Sequence, residues 1–137
     1  MSKYKIAFVC VGNSCRSQMA EGFAKEYASD LFEVYSAGTK PASEVKPNAV
    51  KAMEEIGIDI SDQYPKTTEE ISSEMDLLIT MGCNVDCPYI PCSYRKDWGL
   101  DDPAGKPIEE FRKTREIIKD KIEELIKRVR NGELDLD

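Results

Sequence analysis

The chain predicts an α/β domain: a four-stranded parallel sheet with helices on both faces, in three layers, as a single domain over residues 1–137. Three observations carry that prediction. Short apolar runs alternate along the chain with segments of helical period, the mark of strands joined by crossover helices. The length suits one hydrophobic core, and no repeat or linker divides it. The first apolar run passes directly through a Gly/Asn/Ser-rich turn into a helical pattern, as a strand–loop–helix unit requires.

The elements follow in order. Lys3 to Val9 reads as the first strand, and Ser17 to Ala28 as a helix with Met19, Ala20, Phe23, Ala24, Tyr27 and Ala28 on one stripe. Phe32 to Ser36 is a short second strand ending at Gly38. Pro47 to Ile56 is a compact helix: Pro47 suits its first position, Ala49, Ala52, Met53 and Ile56 line one face, and Gly57 stops it. Thr67 to Ser73 predicts a short helix with a Thr67/Glu70 capping box. Met75 to Thr80 is the third strand, apolar enough to be central, and Tyr94 to Trp98 a fourth. Ile108 to Arg130 is a long amphipathic helix, with Ile108, Phe111, Ile118, Ile122, Leu125 and Val129 on its apolar side and Glu109–Lys113 and Glu123–Lys127 spaced for pairing. Asn131 to Asp137 is an acidic tail expected to fray.

Composition narrows the function. A net charge of −7 argues against nucleic acid as a partner. No apolar window is long enough to span a bilayer, and the first residues lead into a strand rather than a secretory signal. Five cysteines, odd in number and unevenly spaced, do not make a secreted disulfide framework, so the cytoplasm is the expected compartment. There is no histidine. Cys–His and Ser–His catalytic pairs are thereby excluded, and the commonest zinc ligand is missing.

The stretch Cys10-Val11-Gly12-Asn13-Ser14-Cys15-Arg16-Ser17 is the most informative in the chain. A strand ends on a cysteine, a tight loop follows, and a helix begins. Backbone N–H groups of Val11 to Arg16 would converge at a helix N-terminus, where negative charge is favoured. Arg16 adds a planar fork of donors suited to a tetrahedral oxyanion. The same field favours the thiolate of Cys10, so one loop binds an anion and attacks it. The plainer reading, a buried cysteine at a strand end before an ordinary turn, is the alternative. Ligands of parallel sheets bind beyond the carboxyl ends of the strands. The Cys10 loop, the Met81–Cys92 loop and the Trp98–Gly105 loop are all expected there.

Over nearly its whole length the sequence resembles the low-molecular-weight protein tyrosine phosphatase superfamily, and within it the thioredoxin-coupled arsenate reductases. The resemblance is carried by Cys10 to Glu21, Ser36-Ala37-Gly38, Pro47 to Val50, Gly57 to Ser61, Thr80 to Cys83, Cys87-Pro88 and Asp97 to Ala104. The Cys-x5-Arg-Ser loop is common to phosphatases and reductases. Ser14 and Gln18, the Ala104-Gly105 pair where phosphatases place an aromatic, and above all Cys83 and Cys87 resemble the reductases.

What the resemblance implies is a reaction. Cys10 attacks arsenate held by the loop amides and Arg16, Ser17 donates to the thiolate, Asn13 holds the loop, and Asp102 protonates the departing oxygen. A second thiol then attacks Cys10, arsenite leaves, and a further cysteine passes the disulfide to a thioredoxin-like dithiol protein. Cys83 and Cys87 are the relay candidates, with Cys15 and Cys92 as alternatives. The best-known reductases separate their relay cysteines by six intervening residues; here the spacing is Cys83-x3-Cys87, which on a helix would put both on one face. Zinc on Cys83, Cys87 and Cys92 is the metal alternative, one ligand short of a structural site. No tightly bound cofactor is expected. The resemblance does imply a potassium ion beneath the loop, with Asn13, Glu21 and Ser36 at three ligand positions. A monomer is expected. The rivals are a phosphatase hydrolysing phosphate monoesters through a cysteinyl-phosphate, and a non-catalytic oxyanion sensor.

Overall fold

The computed structural model describes residues 3–70, 74–82, 92–101 and 103–134. Four strands, β1 (Tyr4–Cys10), β2 (Phe32–Gly38), β3 (Met75–Thr80) and β4 (Cys92–Asp97), form one sheet in the order β2-β1-β3-β4, every pair parallel. Three α-helices are described: α1 (Arg16–Ala28), α2 (Pro47–Glu54) and α3 (Ile108–Arg130). A 3-10 turn, Thr68–Glu70, lies within the expected Thr67–Ser73 helix, of which residues 71–73 fall outside the described residues. Half of the predicted capping box is present: the Glu70 carboxylate accepts the Thr67 N–H at 2.8 Å.

Strands β1 and β3 are central, and Ile6 to Cys10 is buried on both faces, which is why the run reads as continuously apolar. One face carries Ile6, Phe8, Leu77 and Ile79, packed with Met19, Phe23, Ala49, Met53, Phe111, Ile118 and Ile122 from all three helices. Ala7, Val9, Ala37, Met75 and Leu78 form a second buried cluster. The α/β architecture and parallel sheet are thus as the sequence predicts, with the three described helices gathered around one core.

The boundaries shift in instructive ways. β1 and β2 run on to Cys10 and Gly38 because the two residues pair with each other in register. β4 begins at Cys92 rather than Tyr94; its first residues are polar, but Cys92 pairs with Met75 at the sheet edge. α2 ends at Glu54, so Ile56, expected on its buried face, stands exposed beyond it. Gly57, at φ +83°, provides the left-handed stop, with the Ile58 N–H closing on the Met53 carbonyl. Tyr27 is exposed rather than in the α1 stripe, whereas Arg16 to Ala24 is buried all round. Along α3, Lys113 lies 3.4 Å from Glu110 rather than pairing with the expected Glu109.

β1 leads through α1 to β2 on one side, while β3 lies on the other. The chain order therefore reverses at the carboxyl end of β1, the switch point where such sheets open a crevice for ligands. Cys10 stands at that point.

Candidate active site

The Cys10 loop is shaped by what its carbonyls bind. The carbonyls of Cys10, Val11, Gly12 and Ser14 accept N–H groups of Thr39, Lys40, Ala42 and Lys46, at 2.8 to 3.2 Å. In a trans peptide the next N–H points opposite the carbonyl. The N–H groups of Val11, Gly12, Asn13 and Cys15 consequently face the inside of the loop. The N-cap residue Cys15 makes no side-chain cap hydrogen bond to α1, whose first-turn N–H groups add to that field. Gly38 makes this closeness feasible: a Cβ there would lie 2.5 Å from the Val11 carbonyl oxygen and 3.0 Å from the Asn13 nitrogen.

Asn13 organises the thiol. It takes a left-handed conformation, φ +50°, which asparagine tolerates better than most residues. Its N–H donates to Cys10 Sγ at 3.2 Å. Its Oδ1 accepts the Lys66 backbone N–H at 2.9 Å, which orients the amide so that Nδ2 donates to Ser17 Oγ at 2.7 Å. Ser17 Oγ lies 2.9 Å from Cys10 Sγ, where its hydroxyl can donate to a thiolate. Cys10 is 2% exposed and Asn13 and Ser17 are fully buried. The expected thiolate donors are brought together, and the chain of donors runs back to Lys66.

Arg16, 5% exposed, donates through Nη1 to the carbonyls of Met81 and, at 2.9 Å, Leu100. It ties the anion loop to the end of β3 and to the loop after β4. These are two of the segments expected to converge here, and their described parts do. Cys15 is buried in the main core, with Sγ 3.7 Å from Ser14 Oγ. Asp102, Cys83 and Cys87 lie outside the described residues.

Cys92 is a correction. In a parallel sheet a loop leaving the carboxyl end of β3 must enter β4 at its amino end. Register places Cys92 level with Met75 and Asp97 level with Thr80 and Val9. Cys92 is therefore about 20 Å below Cys10 along the strand direction, at ~3.3 Å per residue. Burial also pushes its thiol above the ordinary range, against a smaller opposing effect of Arg95. In this arrangement Cys92 does not reach Cys10 as a relay partner.

Glu21 and Ser36, the expected potassium ligands, meet beneath the loop. Ser36 Oγ donates to Glu21 Oε1, Lys25 Nζ donates to Oε2, and Lys66 Nζ lies 3.7 Å from Oε1. With Asn13 Oδ1 taken by Lys66, every one of these oxygens already engages a protein group. Among the described residues no group of three His, Cys, Asp or Glu side chains gathers to hold a metal.

Three contributors have roles that the sequence does not announce, Gln18 being read there only as a mark of the reductases. Gln18 Nε2 donates to the carbonyls of Asn13 (3.0 Å) and Tyr64 (2.9 Å), and Gln63 Nε2 in turn donates to Gln18. Asp97 Oδ1 accepts from Thr80 Oγ1 at 3.0 Å, the Gly82 N–H at 2.7 Å and the Gly99 N–H at 3.3 Å, bracing the segments Arg16 grips. Lys66 is the third. Apart from Asn13 for Gln18 and Gly99 for Asp97, these partners are 15 to 53 residues away in the chain, so no local spacing announces them.

A buried thiol ringed by N–H donors on a strand–loop–helix turn, with an arginine at the helix start, defines a cysteine-based oxyanion enzyme. The family model for low molecular weight phosphotyrosine protein phosphatases matches residues 5–134. Arsenate reductase 2 of Staphylococcus epidermidis is 47% identical over 127 residues, 90% of this chain and 96% of that protein. A solved arsenate reductase in the phosphate-binding state superposes with a TM-score of 0.84 at 41% identity, covering 91% of this chain and 98% of the other. A thioredoxin-dependent arsenate reductase of Corynebacterium glutamicum gives 0.78 at 35% identity, covering 95% of this chain and 63% of that one. The chain belongs to the low molecular weight phosphotyrosine protein phosphatase family, and within it the chain is more similar to these arsenate reductases than to a solved phosphatase of the same family, which is 32% identical with a TM-score of 0.74.

Proposed function

We propose that this protein is an arsenate reductase, turning arsenate into arsenite through a cysteine nucleophile and a disulfide relay reopened by a thioredoxin-like dithiol protein. The observation that carries the reading is the Lys66–Asn13–Ser17–Cys10 hydrogen-bond chain, which presents a thiol to an anion-binding loop in a chain so similar to arsenate reductases.

Cys10 Sγ attacks arsenic, an S–As bond forms, and one arsenate oxygen leaves as water with a proton from Asp102. A second thiolate then attacks Cys10 Sγ. The S–As bond breaks, its electron pair stays on arsenic, As(V) becomes As(III), and two thiols become one disulfide. Cys83 and Cys87 are the candidates for the second thiol and for the cysteine that receives the disulfide next, Cys15 being the other. The dithiol partner reduces the bridge and restores the enzyme.

Fully reduced protein mixed with arsenate and no other reductant tests this. About one arsenite per chain and two thiols lost, with a bridge that mass spectrometry maps to Cys83 or Cys87, is the expected result. Cys10→Ser should produce neither. No thiol loss, together with steady turnover of an aryl phosphate, would make the enzyme a hydrolase instead. Asp102→Asn should slow the first step by roughly 10²–10⁴ while leaving oxyanion binding intact; an unchanged single-turnover rate would move the acid role to another group.

A further inference from the structure

Glu21 is a carboxylate 5% exposed, directly beneath the catalytic loop. Such a group needs an opposite charge. A potassium ion sharing oxygens of Glu21, Ser36 and Asn13 is what the family resemblance implies. Here two ammonium groups already answer one carboxylate. Lys25 is bound to Oε2 and Lys66 stands 3.7 Å from Oε1, so this cluster carries a net positive charge before any ion arrives. A third cation would meet repulsion and oxygens that already have partners.

We propose that Lys66 is the resident cation of this loop and that the site takes no potassium. Its geometry suits the task. The Lys66 main chain is held on both sides, its N–H by Asn13 Oδ1 and its carbonyl by the Gly38 N–H at 2.8 Å. The ammonium therefore starts from a fixed point. It is 15% exposed, donates to the Tyr64 carbonyl at 2.8 Å, and lies 4.6 Å from the centroid of the Tyr64 ring. The same residue orients the Asn13 amide, and through it the Ser17 hydroxyl at Cys10. Lys66 is thus a positioning residue for the thiol and a source of positive field for the bound anion, two tasks joined in one side chain and its own backbone.

The test needs no arsenate turnover, so it stands or falls apart from the assignment of the reaction. Thermal midpoints of the wild-type protein are measured in KCl and NaCl at equal ionic strength, and inorganic phosphate, as its sodium salt, is titrated into wild type, Lys66→Met and Lys66→Arg. The expected result is the same wild-type midpoint in both salts. Lys66→Met should bind phosphate roughly 3- to 10-fold more weakly, the effect of removing one nearby charge at an intermediate dielectric. Lys66→Arg should restore binding to within about twofold of wild type, since it keeps the charge. A wild-type midpoint that rises selectively with potassium would overturn the proposal. So would Lys66→Met binding phosphate as tightly as the wild type, or Lys66→Arg binding as poorly as Lys66→Met. Should Lys66→Met fail to fold, the salt comparison on the wild type decides alone.

Discussion

Ser17 contributes one hydroxyl, and its direction is set by a neighbour. Asn13 Nδ2 donates to Oγ, which leaves the hydroxyl proton available to a Cys10 thiolate 2.9 Å away. A hydrogen bond to a charged acceptor contributes about 1.5–3 kcal/mol. Ser17→Ala should therefore slow the step in which Cys10 attacks by roughly ten- to a hundredfold, with the fold intact by circular dichroism. Single-turnover arsenite release measures it, and an unchanged rate would show that the Asn13 N–H alone holds the thiolate. The type and spacing of Cys10, Asn13, Arg16 and Ser17 are local, so they are legible in the sequence. The pairing of Asn13 with Lys66 spans 53 residues, and nothing in either neighbourhood signals it.

Elements are joined by charges as well as by apolar faces. Glu55, just past α2, accepts Arg112 at 2.6 Å and Arg115 at 2.9 Å, both from α3. Arg115 also donates to the Ala52 carbonyl at 2.8 Å, so α2 is clasped at its end by α3. Arg112 is the chief reason that the Glu55 carboxyl drops from an ordinary 4.5 to about 2; burial opposes the shift and Arg115 adds to it. A carboxyl depressed in the folded state stabilises the fold fully above its unfolded value and ceases to do so as pH falls through its folded one. Urea midpoints of wild type and Glu55→Gln should therefore differ most above about pH 4.5 and converge towards pH 2. Equal midpoints at neutral pH would show the clasp to be a surface pair of no consequence. At this scale the sequence shows α3 well, because six turns of periodic apolar residues leave little ambiguity. It shows β4 poorly, because an edge strand with Arg95 and Lys96 exposed has no need of an apolar run.

The candidate site lies at one end of the sheet, and Cys10 and Cys15 belong to the larger of the two buried clusters. Phe8, fully buried, sits mid-strand in β1, in contact range of Trp98 with ring centroids 6.0 Å apart, and within the cluster that includes Cys10 and Cys15. Truncating such a side chain costs about 3–5 kcal/mol, and the two-residue offset from Cys10 puts the cavity beneath the loop. Phe8→Ala should lower unfolding stability by that amount in urea titrations and loosen phosphate binding with it. A loss below ~1 kcal/mol would mean that the core collapses into the space. The described helices are no route across a membrane: none is long and apolar enough.

What the sequence determined by itself is the alternation of strands and helices, the parallel sheet that follows from it, and the strand–loop–helix turn of Cys10 to Ser17, because each rests on short-range patterns of residue type. Tertiary structure alone decided which distant groups serve that loop. Thr39 to Lys46 turn its carbonyls outward, Lys66 aligns Asn13 and answers Glu21, and Asp97 pins the ends of β3 and β4. It also removed Cys92 from the site, since two parallel strands must be entered from the same end. Hydrogen-bond partners chosen by proximity in space leave no period or spacing along the chain, whereas a buried face or a loop between strand and helix does.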